Sequence, residues 1–131
     1  MSNAAPNNTA PDNAAKSSYE KAMTPEDLAR FFVERANAGD ADGLAALYEP
    51  DAVLAFPPGA RTVGRDAIRE VCAALVADGP TFTLEDPLPT VVNGDLALTS
   101  TRPTDGTGGR VQLVRRQPDG SWLRVIDRPE S

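Results

Sequence analysis

The chain has 131 residues, 40% of them apolar and 24% charged, proportions that predict a single soluble globular domain with one core. Its net charge of −6 argues against a sequence-independent nucleic-acid binder, which needs a basic face to displace counterions from phosphates. With no histidine and a single cysteine, Cys72, the chain cannot use Ser-His-Asp or Cys-His catalysis or close an internal disulfide, and zinc, haem and copper sites are not evident.

No apolar run approaches the ~20 residues that cross a bilayer, and the first residues lack the basic-then-apolar layout of a secretion signal, so no membrane partner and a cytoplasmic location are expected. Met1 to about Ser18 has no apolar periodicity and is expected to be disordered. We therefore divide the chain into a tail, 1–22, and a folded domain, 23–131.

Thr24-Pro25-Glu26-Asp27 is a helix start, with Thr24 as N-cap, Pro25 at the first helical position and acids facing the positive end of the dipole. The helix is expected to run to about Ala38, with Leu28, Phe31, Phe32 and Ala36 on its buried face. Gly39 then suits a left-handed stop, and Asp40 suits the cap of a short second helix whose apolar face is Leu44, Leu47 and Tyr48. Pro50 ends that helix, and Val53–Phe56 reads as a strand closed by Pro57-Pro58-Gly59. Ile68, Val71, Cys72, Leu75 and Val76 mark a third helix that Gly79-Pro80 stops. Cys72 lies within that stripe, as an inert buried thiol does.

From Thr81 the period changes to two, with Phe82 and Leu84 on one face and Pro87 and Pro89 marking an edge or bulge. Asn93-Gly94 and Asp119-Gly120 are hairpin turns, and Thr104 to Gly109 is a glycine-rich turn. Asp95–Arg102, Arg110–Gln117 and Ser121–Asp127 read as strands. The fold class is α+β, three N-terminal helices on one face of a curved antiparallel sheet, with a hollow between them. Its expected lining is Phe32, Tyr48, Leu54, Phe56, Leu75, Leu98, Gln112, Val114 and Val125, with Val71 as a further wall.

The runs FFVERANAGDADGLAALYEPDAVLAF, VGRDAIREV and VQLVRRQPDGSWLRVID resemble the nuclear transport factor 2-like superfamily, and more narrowly its SnoaL-like, ketosteroid-isomerase-like bacterial branch. The similarity spans about Pro25 to Arg128. It implies a cone-shaped fold with a deep apolar pocket, dimeric through the outer face of the sheet. Members that isomerise steroids use a carboxylate base with a tyrosine and a protonated aspartic acid as donors. The resemblance puts those roles at Phe56, Phe32 and about Gln112; neither phenylalanine can exchange a proton or donate to an oxyanion, so that isomerisation is not expected.

Other enzymes that resemble this fold hydrolyse epoxides, dehydrate with a histidine and carboxylates, or cyclise polyketides; the lack of histidine excludes the second route, and for the others Asp127, Arg124, Arg110, Glu85 and Tyr48 are the candidates. Strand alternation sets Arg124 and Asp127 on opposite faces, with Asp127 on the pocket face beside Leu123 and Val125. There it is either a lone buried carboxylate or an ion-pair partner at the rim. Three readings stay open: a binder of a small apolar or partly polar molecule oriented by Gln112 and Tyr48, an enzyme with a relocated acid such as Asp127, and an interaction module working through its sheet. A homodimer is expected and no cofactor is, since the glycine-rich turn opens no helix.

Overall fold

The computed structural model describes residues 19–79, 81–103 and 109–129. Three helices, α1 (Asp27–Asn37), α2 (Ala41–Ala45) and α3 (Arg65–Ala77), cover one face of a sheet. Its strands are β1 (Tyr48–Leu54), β2 (Thr62–Val63), β3 (Asp86–Pro87), β4 (Val91–Asn93), β5 (Leu96–Arg102), β6 (Arg110–Arg116) and β7 (Trp122–Arg128). The order is β2-β1-β7-β6-β5-β3, with β4 also on β5; every pairing is antiparallel except β1 with β7. Most of the expected elements are present. The glycine-rich turn and most of the expected tail lie outside the described residues.

The junction at 37–44 forms as the residue types require. Gly39 has φ +70°, and the Asp40 carboxylate accepts from the Gly43 amide at 2.9 Å to cap α2. Gly43 leaves room for this closure, because a Cβ there would stand 2.8 Å from Asp40 Cγ. At the start of α1, Thr24 and Asp27 exchange side-chain bonds, Asp27 N to Thr24 Oγ1 at 3.3 Å and Thr24 N to Asp27 Oδ2 at 3.2 Å. The intervening turn closes with Asp27 N to Thr24 O, so the α-helix begins at Asp27 rather than Pro25.

Several boundaries depart from the sequence reading. Tyr48 opens β1 instead of lying on α2, and Pro50 sits within β1, where the β1–β7 register shifts between Tyr48 and Val53. A proline without an amide hydrogen fits where the ladder is interrupted. Residues 81–85 form no strand; Phe82 is tied instead to Asn37, whose side-chain amide bonds both the Phe82 carbonyl and the Phe82 amide. The tail boundary at 22 is also too late. Ala22 is buried and accepts from Trp122 N at 2.8 Å, while Tyr19 donates to Asp40 at 2.9 Å, so packing has begun by Tyr19.

The core lies between the helices and the inner sheet face, around Leu28, Phe31, Leu44, Tyr48, Leu54, Ile68, Cys72, Ala97, Val114 and Trp122. An aliphatic row crosses the outer face. Val63, Val53, Ile126, Leu113, Leu98 and Val91 are successive cross-strand partners from β2 to β4, running the width of the sheet. Four of them are well exposed, Val63 at 57%, Ile126 at 46%, Leu98 at 44% and Val91 at 63%. Among the described residues no helix is long and apolar enough to cross a membrane.

Candidate functional site

Helices α1 and α3, strands β1 and β5–β7 and the segment 82–85 enclose a cavity of about 390 Å³. Its apolar walls include Phe32, Leu54, Phe56, Val71, Leu75 and Phe82, with the Phe82 ring edge-on to Phe32 at 6.1 Å. Five of the nine expected lining residues are on it: Phe32, Leu54, Phe56, Leu75 and Gln112. The other four are elsewhere, each for a reason set by the strand geometry. Leu98 alternates with the inward Ala97 and lies on the outer face. Val114 points inward but is wholly buried against the helices, Tyr48 is likewise closed off in the core, and Val125 falls in an irregularity of β7.

That irregularity builds the polar end of the cavity. Between β6 and β7 the pairing steps from Leu113–Ile126 to Val114–Arg124, which leaves Val125 as an extra, unpaired residue: a β-bulge. Regular alternation would set residues three apart on opposite faces, but the bulge absorbs one position and turns both Arg124 and Asp127 inward. The expectation that they point apart is therefore wrong. Their side chains are 6% and 4% exposed, and Arg124 Nη1 lies 3.3 Å from Asp127 Oδ2.

Other donors converge on the same carboxylate. Tyr48 Oη donates to Asp127 Oδ2 at 2.6 Å, and Gln112 Nε2 donates to Oδ1 at 3.2 Å. Gln112 in turn accepts from Thr99 Oγ1 at 2.8 Å, and Arg124 Nη1 stands 3.4 Å from Tyr48 Oη. Asp127 is thus not a lone carboxylate but an ion-pair partner, with Arg124, and the pair is buried rather than at the rim. The Arg124 guanidinium also lies near two rings, its Cζ 5.1 Å from the Phe32 centroid and 5.7 Å from that of Tyr48.

Burial, and then the charge of Asp127, push the Tyr48 hydroxyl well above its ordinary pKa, so it stays a donor. Burial alone would lower Arg124, but Asp127 and Tyr48 hold its pKa above the usual value. Burial, followed by Asp127, pushes the Cys72 thiol on the cavity wall up to about 11. This is the inert thiol of the sequence reading rather than a nucleophile.

The solvent end is also paired. Arg110 Nε bonds both Glu85 oxygens, at 2.9 and 3.0 Å, Thr101 Oγ1 donates to Glu85 at 2.8 Å, and the Pro129 carbonyl accepts from Arg110. A second hollow, of about 510 Å³, lies beside Tyr19–Ala22, but its half-buried arginines are engaged. Arg35 donates to the carbonyls of Gly43 and Glu20, and Arg65 to that of Tyr48. Among the described residues no group of three His, Cys, Asp or Glu side chains forms a cluster that could hold a metal.

Arg124 is a candidate in the sequence, but its face is not legible there. Arg124 interrupts the otherwise apolar LRVI run of β7, but nothing local in that run announces a bulge.

Comparison with known proteins gives one family. The model of the SnoaL-like domain matches residues 28–128. Among solved structures, a ketosteroid isomerase-like protein from Erwinia carotovora atroseptica is 22% identical over 80% of this chain and 91% of its own, with a TM-score of 0.62. An NTF2-like protein with a cystatin-like fold from Novosphingobium aromaticivorans is 27% identical over 79% and 77%, with a TM-score of 0.60. A protein of unknown function from Mycobacterium tuberculosis is 24% identical over 80% and 72%, with a TM-score of 0.65. None of the curated proteins matches. With three helices on a curved sheet, and a family model spanning that whole unit, the chain belongs to the SnoaL-like domain family of the nuclear transport factor 2-like superfamily.

Proposed function

We propose that the protein binds a small, largely apolar molecule in the cavity between its helices and its sheet. The observation that carries this reading is the cavity itself, open at about 390 Å³ and walled mainly by aliphatic and phenylalanine side chains. A pocket filled by its own side chains would have favoured an interaction module. Ketosteroid-isomerase-type proton abstraction is not part of the proposal, because Phe32 and Phe56 bring no titratable group to the wall. The test is titration with the neutral dye Nile red, with Leu75→Trp as the cavity-filling variant. Saturable binding at one dye per chain, weakened at least about tenfold in a folded Leu75→Trp protein, supports the reading; undiminished binding in that variant contradicts it.

A second reading, an enzyme of the cyclase, isomerase or epoxide-hydrolase kind, is favoured by the Asp127 carboxylate on the cavity wall. Against it, that carboxylate is already engaged by Tyr48, Gln112 and Arg124, so a substrate has to compete with three donors for its oxygens. Diol formation from styrene oxide that is lost in Asp127→Asn would move the balance to this reading. The proposal includes a homodimer through the outer sheet face, supported by the aliphatic row described above, and a cytoplasmic location, which suits a single unpaired cysteine.

A further inference from the structure

Arginines drawn in from solvent in this fold meet a carboxylate, with two exceptions. Among the described residues Arg69, Arg110 and Arg124 are partly or fully buried, and each has a carboxylate at ion-pair distance, from Asp42, Glu85 and Asp127. Arg35 and Arg65 are also partly buried and have none. Both line the hollow of about 510 Å³ beside Tyr19–Ala22, which shares no lining residue with the cavity between the helices and the sheet.

Their bonds run to backbone carbonyls, which satisfy N–H groups without neutralising a charge. Arg35 Nη1 and Nη2 donate to Gly43 and Glu20, at 2.8 and 2.7 Å, and its Cζ lies 4.8 Å from the Tyr19 centroid and 5.0 Å from that of Phe31. Arg65 Nε and Nη2 both donate to the Tyr48 carbonyl, at 2.9 and 2.6 Å. Burial pushes both guanidinium groups below their usual pKa, and more distant carboxylates, Asp40 for Arg35 and Asp66 for Arg65, do not offset it. The acids nearer the hollow are committed elsewhere. Lys21 pairs with Asp119, Glu49 is held by Arg115 and Gln117, and Arg35 bonds the Glu20 carbonyl rather than its carboxylate.

Arg65 has the better edge for an incoming anion. The Tyr48 carbonyl takes the Nε side of its guanidinium, which leaves the Nη1–Nη2 end, a pair of parallel donors that fits the two oxygens of a carboxylate. Its Nη1 has no partner yet is not closed off in the interior, so an anion can reach it. The wall beside the two arginines is apolar, with Leu47, Trp122 and Leu123.

We propose that this hollow is a second binding site, for a small carboxylic acid with an apolar body. The carboxylate meets the Nη1–Nη2 end of Arg65, Arg35 supplies the second positive charge, and the body lies against Leu47, Trp122 and Leu123. This site goes beyond the pocket reading above and does not depend on it.

The test is calorimetric titration of the full chain with 2-naphthoate, its neutral counterpart 2-naphthamide, and inorganic phosphate. The carboxylate is expected to bind at least about tenfold more tightly than the amide, as charge-assisted bonds to guanidinium allow, and more tightly than phosphate, which has no apolar body. In Leu75→Trp, which fills the other cavity, 2-naphthoate should bind as in the unaltered protein; in Arg65→Met it should lose at least about tenfold. Should Arg65→Met not fold, Arg65→Lys takes its place, because it keeps the charge without the planar fork, and a loss of at least about threefold is expected. Equal binding of carboxylate and amide, or no binding of either, overturns the inference and leaves the pocket reading to its own dye titration. Binding that disappears in Leu75→Trp, or that survives undiminished in the Arg65 variant, places the acid elsewhere and overturns it too. Phosphate binding tighter than 2-naphthoate overturns the ligand class.

Discussion

At Asp127 three donors meet one buried carboxylate, and its worth to the fold depends on all of them being present. Asp127→Ala leaves Arg124 charged, buried and unpaired, and should cost about 3–5 kcal/mol in urea unfolding. Arg124→Met/Asp127→Leu, of similar volume and without charge, should cost much less. Cys72 supplies a pH dependence. Its thiol is raised from the ordinary 9.0 to about 11, so the folded state holds this proton more tightly than the unfolded one. The associated stability is fully present below pH 9 and is lost as pH rises through 11, a change of roughly 2–3 kcal/mol. Tyr48 acts in the same direction, from its ordinary 10.0 upward. Urea midpoints measured from pH 8 to 12 should fall, and Cys72→Ala should flatten the part between 9 and 11. A midpoint independent of pH across that range would contradict the assignment.

The elements differ in how openly the sequence declares them. Gly39 and Asp40 announce the α1–α2 junction because each acts within four residues, and Asp40→Ala should cost about 1–2 kcal/mol through the lost cap and the lost Tyr19 bond. Helix α3 is equally legible, its apolar stripe being continuous from Ile68 to Val76. Gln112 on the inner face of β6 meets Phe32, Leu54 and Phe56 in one hollow, as the sequence predicts, whereas Leu98 lies on the outer face of β5 because the sequence does not fix the phase of that strand's alternation. What alternation misses are the irregular places. The bulge at Val125 depends on how β7 pairs with β6 and β1, a non-local matter, and it alone decides that Arg124 shares a face with Asp127. Tyr48 departs from its expected helix for a related reason: apolar spacing continues past the end of α2, while the chain has already turned into β1.

For the molecule as a whole, the inner and outer sheet faces divide the work, one closing over a cavity and the other presenting an aliphatic row to solvent. If that row is a dimer interface, the protein should sediment at twice the 13.8 kDa of the chain, and Leu98→Lys/Ile126→Lys should sediment as a monomer. A monomeric unaltered protein would remove the dimer from the account. Because Leu98 and Ile126 lie on the face opposite the cavity, ligand affinity in the double variant should change by less than about threefold if the two faces act independently. The most direct measurement is a crystal structure of the full chain with Nile red. The dye is expected between Phe32, Phe56 and Leu75; a dye seated elsewhere, or a cavity closed by its own side chains, overturns the pocket reading.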